Sequence, residues 1–128
     1  MDIVMRRLLL LVLTGLVGCS RPVVPPGADL AQTLAGRVAG RPQSCVPTQS
    51  ASGLRVIDAA TLGYGSGPTI YVNRLDGPCP GVRELSTIIV EVHGSDYCRG
   101  DHFRAVEPAA SIPGPVCFLG DWVPYRRP

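Results

Sequence analysis

Four cysteines, Cys45, Cys79, Cys98 and Cys117, lie between Gln43 and Pro128, and their oxidation state constrains the fold more than any other feature. A domain of about 86 residues hides only roughly 60–65% of the surface that its unfolded chain exposes. Its apolar core is correspondingly thin. Two disulfides, each contributing about 2–4 kcal/mol, would matter greatly to such a core. Reduced, the same thiols would point to metal or redox chemistry.

The N-terminus bears on that choice. Arg6 and Arg7 form a positive n-region, and Leu8 to Val17 is an apolar run too short to cross a bilayer as a helix. Residues 1–18 therefore read as an export signal, with Met5 as an alternative start. Leu16-Val17-Gly18-Cys19 resembles the lipobox of bacterial lipoproteins. The resemblance implies diacylglyceryl transfer to the Cys19 thiol, cleavage after Gly18, and acylation, typically with palmitate, of the new amino group. Only a thiol at Cys19 can become the thioether, and a small Gly18 fits a tight cleavage site. Several acyl chains on one residue anchor stably where a single chain would be marginal. Ser20, not Asp, follows the cysteine, a pattern that favours the outer membrane of a two-membrane cell, facing the periplasm. Lipidation uses one of five thiols. An even set of four in an oxidising compartment then reads as two disulfides. Three pairings are open. If the first and last strands are neighbours, Cys45 meets Cys117 and Cys79 meets Cys98.

From Cys19 onward ten arginines stand against nine Asp and Glu, and the chain has no lysine. No basic stripe points to nucleic acid, and no acidic block points to a tail. Residues 19–42 read as a tether. Pro22, Pro25 and Pro26 favour extended chain at its membrane end. Leu30, Leu34 and Val38 recur every four residues, which allows a short helix over 28–39, marginal by itself. A flexible spacer with a mean reach of roughly 25–30 Å is the preferred reading.

Residues 43–128 carry the punctuation of an all-β domain. Strands are predicted over 54–59, 61–64, 69–75, 85–93, 102–107 and 116–125, mostly separated by Pro and Gly clusters. Ile70 and Val72 alternate with Tyr71 and Asn73, the signature of a half-buried strand. In 85–93, Ile88, Val90 and Val92 are expected to face the core, with Thr87, Glu91 and His93 outside. The predicted fold is mainly β: a five- to six-stranded antiparallel barrel or strongly curved sheet with two disulfides, preceded by a signal peptide and tether.

The segment from Ser44 to Tyr125 carries "SCVP" at Ser44, "YVNRL" at Tyr71, "CPG" at Cys79, "CRGD" at Cys98 and "CFLGDWVPY" at Cys117. In the order and spacing of these pieces it resembles a family of small bacterial exported proteins classed as domains of unknown function. The resemblance implies a small, mostly β envelope domain with paired cysteines, and it carries no catalytic residues. His102-Phe103, after the Cys98 turn, departs from the family pattern.

Candidate sites are few. Arg99-Gly100-Asp101 spells an adhesion tripeptide, but short motifs predict loosely, and Cys98 beside it favours a constrained turn. Asp96, Cys98, Asp101 and His102, with His93 nearby, have ligand chemistry; zinc, however, wants several thiolates or imidazoles, and a disulfide spends the thiol. Ser66 in "GYGSGP" is neither a nucleophile elbow nor a phosphate loop and reads as a hairpin turn. Among the aromatics, Phe118 is expected in the core. Tyr71, Trp122 and Tyr125 with Arg74, Arg126 and Arg127 form the candidate binding patch, with Trp122 and Tyr125 left open between patch and core. The reading is a non-enzymatic envelope lipoprotein with no cofactor, held to the membrane by its lipid anchor and engaging an envelope protein or glycan as a binding or structural module. A small hydrolase or metal-dependent enzyme using His93 and His102 is one alternative. An inhibitor of an envelope enzyme, with a rigid exposed loop around "GPCPG", is another.

Overall fold

The computed structural model describes Gly18, residues 28–48 and residues 53–128. The rest of the expected signal peptide, Cys19 and the proline-rich start of the tether lie outside the described residues. One helix, α1 (Ala28–Leu34), precedes ten strands: β1 (Val38–Ala39), β2 (Cys45–Pro47), β3 (Arg55–Asp58), β4 (Thr61–Tyr64), β5 (Thr69–Arg74), β6 (Thr87–Val90), β7 (Asp96–Cys98), β8 (His102–Val106), β9 (Cys117–Phe118) and β10 (Trp122–Arg126). All pairings are antiparallel. Three sheets result, ordered β1-β10-β5-β4-β3, β2-β7 and β6-β8-β9. The mainly β class with two disulfides is as expected. No barrel closes among the described residues, because β1 and β3 remain the edges of the largest sheet.

Turn chemistry explains the central meander. The β3–β4 reversal is held by Asp58 Oδ1, which accepts the Ala60 N–H at 2.8 Å. Between β4 and β5, Gly65 and Gly67 adopt positive φ values of 87° and 78°, which a side chain would strain. The "GYGSGP" stretch is thus the predicted hairpin turn.

In β5 the alternation has a different meaning from the one expected. Cross-strand partners lie on the same face of a sheet. Asn73 faces Trp122 and Leu62, and Tyr71 faces Pro124 and Tyr64. This face, with Val56 of β3, is the main core. It packs with Val46, Phe103, Ala105, Leu119, Cys79, Val82 and Cys117 from the smaller sheets and their loops. Ile70 and Val72 point the other way, with Ile57, and are buried outside that cluster. Helix α1 packs against β3, and the Ile57 side chain lies over Gly63, where an added Cβ would sit 2.9 Å from it. With both faces covered, apolar alternation no longer tells inside from outside.

Three other boundaries move. Regular structure begins within the expected tether, before residue 42. Helix α1 stops at Leu34, and Gly36 follows with φ 70°, the left-handed ending common after helices. Val38 then pairs with Arg126 in β1 rather than extending a helical stripe to residue 39. The stretch 85–93 yields a strand only over Thr87–Val90, and Val92 is 40% exposed. The stretch 116–125 splits: β9 pairs with β8, β10 pairs with β1 and β5, and Leu119-Gly120-Asp121 crosses between the sheets.

That crossing corrects the disulfide pairing. The bonds are Cys45–Cys98 and Cys79–Cys117. The N-terminal segment does neighbour the last strand, since Gln43 bridges Trp122. Cys117, however, already belongs to the other sheet, opposite Phe103. Cys45 instead lies directly across from Cys98 in the β2–β7 ladder. Cys79 fastens the long β5–β6 connection to β9.

Candidate functional site

The chain Cys98-Arg99-Gly100-Asp101 is a tight turn in which the Asp101 N–H donates to the Cys98 carbonyl at 3.0 Å. Gly100, at φ 84°, takes the position that a type II turn reserves for glycine. The Asp101 carboxylate folds back and accepts the Cys98 N–H at 2.8 Å. It is buried, so it is not presented as an adhesion tripeptide would require. The Arg99 N–H donates to Ser44 at 2.7 Å, beside the Cys45–Cys98 bond. Backbone and disulfide together fix where the Arg99 guanidinium emerges.

That guanidinium bonds Asp121 at 3.0 Å and lies 4.0 Å from Asp76. Arg74, Asp76, Arg99 and Asp121 line a surface cleft of about 270 Å³, whose apolar walls include Leu75 and Val123. Gly120 also lines it. Both backbone polar groups of Gly120 are bound by Asn73, whose Oδ1 accepts the Gly120 N–H and whose Nδ2 donates to its carbonyl, each at 2.8 Å. Asn73 has no exposed surface. A Cβ at Gly120 would run into the Arg74 carbonyl oxygen. The cleft therefore rests on a rigid junction between β5 and β10, the kind of support that holds binding geometry. Its lining offers guanidiniums and carboxylates, which bond hydroxyls and charged side chains.

Of the residues predicted for a binding patch, Arg74 alone is in this cleft. Tyr71 is half-buried on the inner face. Tyr125 and Arg74 belong to the opposite face, so the four residues do not form one surface. Trp122 is fully buried, with ring centroids 6.0 Å from Tyr64 and 6.5 Å from Tyr97. Its indole N–H has no hydrogen-bond partner among the described residues. Phe118, expected in the core, is 45% exposed and meets His102 edge-on at 4.8 Å. Phe118 lies outside because β9 ends there on an outer face, while β10 begins at Trp122 on an inner one. Burial, and then the nearby Tyr64, raise the Tyr97 phenol above its ordinary value.

The histidines serve different carboxylates. His93 Nδ1 lies 3.7 Å from Asp101, and His102 Nδ1 lies 3.9 Å from Glu91. No group of three or more His, Cys, Asp or Glu with metal-binding geometry occurs among the described residues. Asp76, Arg99 and Asp121 were missed as a set because they come from three separate loops. The only local hint was a Gly-Asp pair at each of two turns, Gly100-Asp101 and Gly120-Asp121. No helix is long and apolar enough to cross a membrane among the described residues. No protein-family model, curated protein or solved structure matches the chain.

Proposed function

We propose that the chain is a cell-envelope lipoprotein, anchored through Cys19 in the outer membrane and facing the periplasm. In this reading its disulfide-stapled β domain is a non-enzymatic binding or structural module for an envelope protein or glycan, akin to the small exported domains that its cysteine motifs resemble. The observation that carries the reading is the oxidation of all four cysteines of the domain, which suits a compartment outside the reducing cytoplasm. The sequence Leu16-Val17-Gly18-Cys19 supports the anchor, and the cleft's charges support binding.

Intact mass of protein taken from membranes, before and after reduction, tests the reading. Loss of residues 1–18, added acyl mass on Cys19 and two hydrogens gained per bridge are expected. A full-length cytoplasmic chain with titratable thiols would overturn it. Replacing His93 and His102 together by alanine is expected to leave fold and binding intact. Zinc or calcium retained by the purified parent, and lost in that variant, would favour the metal-dependent alternative.

The inhibitor reading has one observation of its own. In the loop around "GPCPG", Gly77, Pro78 and Pro80 are exposed while the Cys79–Cys117 bond pins the centre. If this loop blocks an envelope hydrolase, the purified protein is expected to suppress hydrolase activity of envelope extracts, and Pro78→Ala/Pro80→Ala to relieve that suppression.

A further inference from the structure

The turn between β4 and β5 gathers arginines from distant parts of the chain. Arg37, between α1 and β1, donates from Nη2 to the Gly67 carbonyl at 2.7 Å and from Nη1 to the Pro68 carbonyl at 3.0 Å. Arg55 of β3 donates from Nη1 to the Gly65 carbonyl at 2.9 Å. The Arg127 backbone N–H donates to Pro68 at 3.1 Å, and Arg126 stands opposite Thr69, next to that proline. The guanidiniums of Arg37 and Arg55 thus hold one turn, with the charge of Arg127 close by; Arg126 has the parity of Trp122 and Pro124 and points to the other face of the sheet. No carboxylate lies within ion-pair distance of any of these arginines among the described residues.

Like charges held together without a counter-ion repel one another. Desolvation, and then the Arg127 and Arg55 charges, lower the pKa of Arg37. An anion brought to the turn would relieve that repulsion. Guanidiniums bind phosphate oxygens through paired N–H donors, and Arg37 and Arg55 retain donors beyond those spent on the turn.

The position of the cluster selects the anion. Arg37 follows α1, which packs on β3, the strand that carries Arg55. Ala28 is nine positions beyond Cys19, a span of roughly 30 Å even fully extended and about 15–18 Å on average if flexible. The screening length at physiological salt is about 8 Å. A domain leashed this closely meets its own membrane at high local concentration, and basic clusters beside an anchor are drawn to anionic headgroups.

We propose that Arg37, Arg55 and Arg127 form a docking face for the anionic phospholipid headgroups of the membrane that carries the anchor. The docking orients the domain, with the Arg74–Asp121 cleft at the other end of the β5–β10 pair. The proposal rests on the lipoprotein reading of Cys19.

The test uses the mature chain carrying Cys19→Ser, so that acyl chains do not contribute. It is co-sedimented with vesicles of phosphatidylglycerol and phosphatidylethanolamine, and with vesicles of phosphatidylcholine alone. Binding to the anionic vesicles only, abolished by high salt, is expected. Arg127→Gln, which removes no side-chain hydrogen bond, is expected to weaken that binding about fivefold. Arg83→Gln/Arg104→Gln, outside that cluster, is expected to change it little. Equal binding to both vesicle types, no binding, or equal losses in the two variants would each overturn the docking face. So would capture of inorganic phosphate without capture of vesicles. If intact mass shows acylated Cys19 while vesicles are ignored, only this inference fails. If acyl mass is absent, the lipoprotein reading fails independently.

Discussion

Asn73 and Gly120 show how much of this fold depends on single residues. One buried amide satisfies both polar groups of a glycine that could carry no side chain. Leaving a buried N–H or C=O unpaired costs about 1–3 kcal/mol. Asn73→Ala is therefore expected to lower stability by about 2–4 kcal/mol in urea unfolding, while Gly120→Ala, whose Cβ meets backbone oxygen, should cost more. Little loss in Asn73→Ala would mean that the pair is not structural. Tyr97 makes a second prediction. Its phenol holds its proton above the ordinary value of 10.0, so the unfolded chain ionises first as pH rises. The stabilisation is complete below pH 10.0 and is lost as pH climbs through the higher native value. The urea midpoint should fall over that alkaline range, and Tyr97→Phe should make the fall shallower. The role of Asn73 was not readable locally, because an asparagine alternating with Ile70 and Val72 looks solvent-facing until the register sets it opposite Trp122 and Leu62.

At the scale of elements, short strands depend on cross-links. The β2–β7 ladder has three residues in each strand and Cys45–Cys98 across it. Removing either bridge as a cysteine-to-alanine pair is expected to cost about 2–4 kcal/mol. The site of the damage should differ. Without Cys45–Cys98, hydrogen exchange should rise first in β2, β7 and the Arg99 turn. Without Cys79–Cys117, it should rise first in the β5–β6 connection and β9. The same exchange map for both variants would contradict this division. Helix α1 is an element whose value lies wholly in packing. Seven residues are too few to be stable alone, yet they pack against β3, the strand that carries Val56 and Ile57. Deleting residues 28–36 should expose part of that strand, lower stability by about 2–3 kcal/mol and increase binding of a hydrophobic dye. The helix was legible only as a faint four-residue repeat, because its partner face comes from strands 20 to 40 residues away, a separation of roughly that size being invisible to any local pattern.

The molecule as a whole is a thin core closed by two covalent bonds. Reducing both together is expected to unfold the domain cooperatively at ordinary temperature, read by loss of near-ultraviolet circular dichroism from the Trp122 and Tyr64 environment; a native spectrum under full reduction would show that packing alone suffices. The β class and the even cysteine set follow from sequence alone, and the expectation of export and an anchor rests there too, because each is written in adjacent residues or in composition. The strand over 61–64, the glycine turn at 65–68 and the turn at Cys98 were legible for the same reason: their causes lie within a few positions. Which cysteines pair, which face of β5 is the interior, why Trp122 is buried and Phe118 is not, and how three arginines meet at one turn were decided only by the tertiary structure. Each depends on the crossing at Leu119-Gly120-Asp121, which moves the chain from one sheet to another, and on contacts between segments far apart in the chain, whose energies no local stretch contains.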